Sequence, residues 1–215
     1  MMFSLFFRLK LKYLIIIASL LFSSHYANAM RATHAWKVYD HAQLQNYVEF
    51  DIFLNAYREH LRVANKPIMS IIDYSQPSDS KRFLIIDIEK RALLHRTFVT
   101  HGINSGKLYA TQFSNTVNSR QTSLGTYRVG EVYYGKYGIS LRLDGMSPSN
   151  SNARKRAIVL HGASYAEPNV IHAIGMLGRS WGCPAISREI TPEIVDLLKE
   201  GGSIYAHAQN NRHNK

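Results

Sequence analysis

AIVLHGASYAEPNVIHAIGMLGRSWGCPAI, residues 157–186, is the stretch on which the reading of this chain turns. It holds the only cysteine, Cys183, set between Gly182 and Pro184. The pair His161-Gly162 lies upstream, at the end of a short apolar run. Gly182 and Pro184 suit neither a core strand nor a helix, and they favour a tight turn that presents its side chain. A thiol is a weak nucleophile until deprotonated, with a free pKa of about 8.5. A histidine beside it can take the proton and hold the pair as thiolate and imidazolium. Backbone N–H groups of Trp181, Gly182 and Cys183 could serve a developing oxyanion, and Gly182 lets a substrate approach the backbone closely.

The chain has ten histidines, so the partner must be chosen. His161 is favoured because it ends a buried strand, where position is fixed, and the glycine after it opens room. His101 also heads a His-Gly pair at a strand end. His172 is nearer in sequence, but it falls on a short helical stretch with Ile171 and Ile174. Both stay in contention. His34, His41, His60 and His213 lie in exposed-looking or terminal stretches, and His207 follows the last strand. Structural zinc needs four ligands at local spacing, commonly with paired cysteines. That spacing is missing, and no metal or organic cofactor is expected.

Outward from this stretch the chain reads as strands. Apolar or alternating runs at residues 68–74, 83–88, 93–100, 125–134, 139–143, 157–160 and 203–206 are separated by turn chemistry. Residues 101–123 form a long segment rich in Gly, Ser, Asn and Thr, a length often tied to function. Residues 168–177 can form a short helix. Thr191-Pro192-Glu193 starts another after the cysteine, with a capping hydroxyl, a proline at the first position and an acid in the first turn. Upstream, Phe50, Phe53, Leu54, Tyr57 and Leu61 make one helical stripe within residues 40–64, which Pro67 ends. The stripe is expected to pack on the main domain. The fold class is therefore mostly β, a sandwich or partly closed barrel with an N-terminal helix and a helix after the cysteine.

The first 29 residues read as an address. Arg8, Lys10 and Lys12 precede an apolar run at residues 13–22, and Ala27-Asn28-Ala29 is a small-x-small cleavage site. This is the layout of a secretory signal peptide, and the run is short for a membrane span of about 20 residues. An uncleaved anchor is the alternative. The expected organisation is a signal peptide (1–29), a helical segment (30–67), the main domain (68–207) and a polar tail (208–215). The chain carries 26 Lys and Arg against 15 Asp and Glu. Three of those cations lie in the leader, leaving 23 − 15 = +8 after cleavage. A basic exported domain tends to meet polyanions such as wall polymers. Nucleic-acid signatures are missing.

Together these residues resemble a known family. His161-Gly162 followed by Ser180-Trp181-Gly182-Cys183 resembles the L,D-transpeptidase signature, a His-Gly and a Ser-x-Gly-Cys in peptidoglycan-modifying enzymes of the YkuD type. GRSWGCPA (178–185), with FSN (113–115), TSLGTY (122–127) and GKYGISLRLDG (135–145), resembles the murein L,D-transpeptidase catalytic-domain branch of secreted bacterial proteins. The resemblance spans about residues 68–207. It implies a β-sandwich with Cys183 as nucleophile in a cleft and His161 as general base. It also implies a Gly162 carbonyl orienting the imidazole, and Ser180 and Gly182 shaping the nucleophile turn. Many relatives carry a histidine where this chain has Trp181, and Arg or Asn where it has Ala185. Arg179, Arg142 and Arg188 are the candidates to grip a peptide instead.

The implied reaction is two-step acyl transfer between peptidoglycan stem peptides, with a tetrapeptide donor and an amine acceptor. Cys183 attacks the carbonyl between the third stem residue and D-alanine, D-alanine leaves, and an amine of another stem resolves the thioester as a 3-3 cross-link. Water as acceptor would make an L,D-carboxypeptidase. The rivals are a non-catalytic peptidoglycan-binding module and a papain-like endopeptidase, in which the cysteine usually precedes the histidine. The expected location is the periplasm or the cell-wall side of the inner membrane, with no stable membrane span after cleavage.

Overall fold

A computed structural model describes residues 29–209. The expected signal peptide, apart from its last residue Ala29, and residues 210–215 of the expected tail lie outside the described residues. Residues 29–41 are helical (α1). The chain divides into Met1–Lys37 and Val38–Lys215, and every feature of the cleft described below falls in the second unit. Among the described residues no helix is long and apolar enough to cross a membrane.

Continuous and alternating apolar runs build one hydrogen-bonded sheet of eight strands. They are β1 (Ile68–Asp73), β2 (Phe83–Asp87), β3 (Ala92–Thr97), β4 (Gly125–Gly135), β5 (Gly138–Gly145), β6 (Val159–Gly162), β7 (Ala185–Ile186) and β8 (Ser203–His207). Their spatial order is β3-β2-β1-β8-β4-β5-β6-β7. The last strand thus enters the middle, parallel to β1 and antiparallel to β4. The mostly β class follows the pattern read from the sequence, and the sheet is sandwich-like in closing over its own core. Ile72, Phe83, Tyr127, Leu141, Leu160, Ile186 and Ile204, from strands across its whole width, share one buried cluster. Trimming one of these to alanine, Leu141 for example, should cost roughly 2–5 kcal/mol.

Strand β1 is buried on both faces, which is why its apolar run barely alternates. Helix α2 (Phe50–Val63) packs against β1, β4 and β8. Its buried face is Ile52, Phe53, Ala56, Tyr57, His60 and Val63, turned from the expected stripe, so that Leu61 is exposed. His60 was expected in an exposed stretch. Instead it is buried, its Nδ1 2.8 Å from Ser203 Oγ on β8. Helix α3 (Pro168–Ile174) is short, and α4 (Thr191–Leu198) drives Ile194, Val195 and Leu198 into the core. Thr191 does not cap α4. It occupies the first turn, and its hydroxyl donates to the Ser187 carbonyl at 2.7 Å.

Two departures from simple alternation matter for the site. A bulge in β4 between Val129 and Val132 shifts the inward face, so Val132 packs on the core while Glu131 is exposed. And β7, only two residues long, is a strand that hydrophobic periodicity does not predict. It pairs in parallel with β6, with His161 opposite Ala185 and Gly162 opposite Ile186.

Candidate active site

The β6–β7 pairing brings the two ends of the quoted stretch together. His161 sits between Ser140 of β5 and Ala185 of β7. Cys183 lies two residues before Ala185, so the period of two along an extended chain points it to the same side as His161. Both line a cleft of about 370 Å³ with Lys136, Tyr137, Arg156, Ala157, Tyr165, Arg179, Ser180 and Trp181.

His161 is held on three sides. Its Nδ1–H donates to the Gly162 carbonyl at 3.0 Å, the arrangement implied by the resemblance, which leaves Nε2 unprotonated. Tyr137, from the turn between β4 and β5, stacks on the ring at 4.4 Å, and Tyr165 meets it edge-on at 6.4 Å. Burial pushes the imidazole pKa down, and the Lys136 charge adds to this against the opposing pull of the Gly162 carbonyl. The thiol is pushed up by burial, opposed by the backbone of Val159 and by the Arg156 charge. Both directions work against the thiolate–imidazolium pair that the sequence reading allows. The thiol meets the Ala157 carbonyl at 3.7 Å.

The turn that carries Cys183 is built by Ser180 and Gly182. Ser180 Oγ donates to the Cys183 carbonyl at 2.6 Å and accepts the Gly182 N–H at 3.0 Å. Gly182 has φ of +117°, and a Cβ there would stand 2.6 Å from the Gln121 carbonyl. A side chain at 182 therefore meets both strain and a clash. Because its N–H is engaged by Ser180, Gly182 is not an open donor in this conformation.

Of the three arginines considered for substrate, only Arg179 lines the cleft, its Nη1 donating to the Gly106 carbonyl at 3.2 Å. Arg142 is ion-paired with Glu131 at 3.0 Å and lies over the Tyr133 ring. Arg188 is exposed behind Gly162, with its backbone N–H on Glu167. Sequence reasoning missed Arg156. Its guanidinium is fixed by the carbonyls of Ser114 and Gln121 and by the hydroxyls of Ser119 and Ser123. It also missed Lys136 and Tyr137, which the sequence places in a turn, and Tyr165, between β6 and α3. Trp181 is exposed at the cleft mouth with the Arg120 guanidinium 4.5 Å over its ring. Ala185 is fully buried and packs with Ala163, Ala166 and Tyr165, which leaves no room for a long polar side chain.

The rival histidines fall elsewhere. His101 is fully buried, with Nδ1 accepting from Arg82 at 2.8 Å, and His172 is exposed on α3. Among the described residues no three His, Cys, Asp or Glu side chains cluster as metal ligands would.

The profile of the L,D-transpeptidase catalytic domain matches residues 42–207. The chain belongs to that family. A search of curated proteins finds no match. Among solved structures, the chain is similar to an L,D-transpeptidase from Mycobacterium smegmatis at 13% identity, covering 66% of this chain and 59% of that one, with a TM-score of 0.41. It is similar to the helical cell shape determining protein Pgp2 (K307A mutant) from Campylobacter jejuni at 13% identity, covering 68% and 49%, with a TM-score of 0.40. It is also similar to an L,D-transpeptidase from Mycobacterium tuberculosis H37Rv at 16% identity, covering 66% and 57%, with a TM-score of 0.39. The matched part thus spans about half to three-fifths of these relatives' chains.

Proposed function

We propose that this L,D-transpeptidase-family chain is a cysteine acyltransferase acting on peptidoglycan stem peptides, with Cys183 as nucleophile and His161 as general base. The observation that carries it is the shared cleft, in which the Gly162 carbonyl holds Nδ1–H and leaves Nε2 free to accept a proton. Since burial holds the imidazole pKa down and the thiol pKa up, proton transfer accompanies attack in this reading. The thiol proton passes to His161 Nε2 as Sγ bonds to the carbonyl carbon between the third stem residue and D-alanine. The C–N bond then breaks and the imidazolium gives its proton to the departing amine, leaving an acyl thioester. An amine of a second stem attacks that thioester, loses its proton to Nε2, and releases the thiol.

With the Gly182 N–H held by Ser180, the Cys183 N–H is the donor of that turn assigned to the oxyanion. Arg156 supplies a fixed positive charge beside the thiolate as it forms. In this reading residues 1–29 are an export signal, residues 68–207 are the catalytic domain, and the protein works on the wall side of the inner membrane. Incubation with tetrapeptide-bearing muropeptides should release D-alanine and give 3-3 cross-linked dimers by mass. No release by the wild type, or equal release by Cys183→Ala, would sink the assignment. A tripeptide product without dimers would make the acceptor water.

A further inference from the structure

The charges of the cleft are one-sided. Its lining includes Lys136, Arg156 and Arg179 and no acidic residue. Among the described residues none of the three is in an ion pair, whereas Arg62, Lys90, Arg142, Arg154 and Lys199 all have a carboxylate within 4.0 Å. Arg156 has its donors on four acceptors of the loop beneath it, so it acts as a fixed charge. Arg179 has given one N–H to Gly106 and keeps others. Lys136 Nζ lies 4.8 Å from the centre of the Tyr137 ring, which itself stacks on His161. Two cations with donors to offer thus flank the reacting groups in a concavity, where field lines concentrate.

We propose, resting on the function assigned above, that this cleft selects its donor by negative charge. A stem peptide whose third residue keeps a free side-chain carboxylate is preferred over the same peptide with that carboxylate amidated, and Lys136 and Arg179 read the difference. The amide matches the carboxylate in size and still accepts a hydrogen bond, so charge is what separates the two ligands. A selectivity built this way weakens with salt, since the mouth of the cleft is open to solvent.

The test separates selectivity from turnover. The Cys183→Ala protein is titrated with an N-acetylated tetrapeptide carrying meso-diaminopimelate at position three, and with its diaminopimelate carboxamide, read by calorimetry. The amide should bind about tenfold more weakly at low salt, with the ratio shrinking toward about twofold at 0.5 M NaCl. Lys136→Gln, on the exposed turn, and Arg179→Gln should each reduce the ratio, and Lys136→Arg should keep it. Equal affinities, tighter binding of the amide, no binding of either peptide, or a ratio that survives both glutamine variants would overturn the proposal. Wild-type D-alanine release is measured on the same two peptides. Release from both at equal kcat/KM would leave the assigned function standing and remove the selectivity. A clear difference in Kd without release from either would do the reverse.

Discussion

The molecule contains two His-Gly pairs, and they lie on opposite sides of the cysteine segment. His161-Gly162 pairs with Ala185-Ile186 on one side. On the other, the Thr100 N–H donates to the Ala185 carbonyl, the Ser180 N–H donates to the His101 carbonyl, and Gly102 bridges to Ser180. Both histidines are buried and both have depressed pKa values. They differ in what faces the ring. His161 has two tyrosines and the cleft. His101 has the buried Arg82 guanidinium, which also donates to the carbonyls of Val99 and Gln76 and lies over Tyr74. The same dipeptide thus ends strand β6 and faces the cleft in one place, and lies outside the eight strands against a buried guanidinium in the other.

The sharpest way to break this comparison is to remove each ring. His161→Ala should lower D-alanine release per folded molecule by about 10²–10⁴-fold, the usual worth of a general base, whatever stability the loss of a buried ring costs. His101→Ala should do the opposite, with turnover per folded molecule within about tenfold of wild type. It leaves a cavity beside an Arg82 that has lost an acceptor, and should cost roughly 2–4 kcal/mol of stability. Thermal melts and initial rates on the same preparations check both halves. Equal losses of activity in the two variants would mean that the distinction is false.

Acid should test the buried histidines next. Burial, helped by the Arg82 charge, takes His101 down to about 4, and burial alone takes His60 to about 4. The unfolded chain binds these protons near pH 6.5 and the folded chain does not. The stability they contribute is therefore whole above about 6.5 and is lost as the pH falls toward 4. Each should account for roughly 3 kcal/mol across that window. Urea melts between pH 7 and pH 4.5 should show the decline, and His101→Gln, already less stable at pH 7, should show a shallower one. An unchanged slope in that variant would show that His101 is not the titrating group.

Much of this was legible in the sequence, for physical reasons. Gly182, Cys183 and Pro184 read as a tight turn because glycine and proline restrict or free the backbone locally. The strands read as strands because short apolar or alternating runs are broken by turn chemistry. What could not be read depends on distant partners. Strand β7 has two residues and exists only because β6 and the Thr100 segment flank it. Arg156 comes from a polar stretch without periodicity, and only closure of the 114–123 loop over it gives it four acceptors. His60 seemed exposed because the stripe through Leu54 and Leu61 looked like the buried face. Packing against β8 chose a face turned away from Leu61. The downward shift of His161 and the upward shift of Cys183 likewise follow mainly from burial, which no local motif encodes.

A subtler effect concerns the glycines of the two pairs. A Cβ at Gly102 would lie 2.5 Å from the Arg120 carbonyl and 2.9 Å from the Thr122 N, both backbone atoms that cannot swing aside. Gly102→Ala should therefore push the 101–103 segment against Ser180 and cost roughly 1–3 kcal/mol. Since Ser180 shapes the cysteine turn, a modest fall in turnover should accompany it, by about tenfold. If Gly102→Ala lost stability with turnover per folded molecule unchanged, the supporting pair would be isolated from the chemistry altogether.

The smallest expected effect discriminates between two resting states. If Cys183 and His161 formed a thiolate–imidazolium pair before substrate arrived, alkylation by iodoacetamide would show a limb well below pH 8.5, and His161→Ala would move it upward by a unit or more. The pKa directions of the two groups predict otherwise. The wild-type rate should rise with a midpoint above about 8.5, and His161→Ala and His101→Ala should each shift it by less than about half a unit. Arg156→Gln should raise it further, because the Arg156 charge is among the influences that hold the thiol down. A low-pH limb that vanishes only in His161→Ala would restore the ion pair and make His161 an activator at rest, while His101 would keep its place as a neutral prop behind the turn.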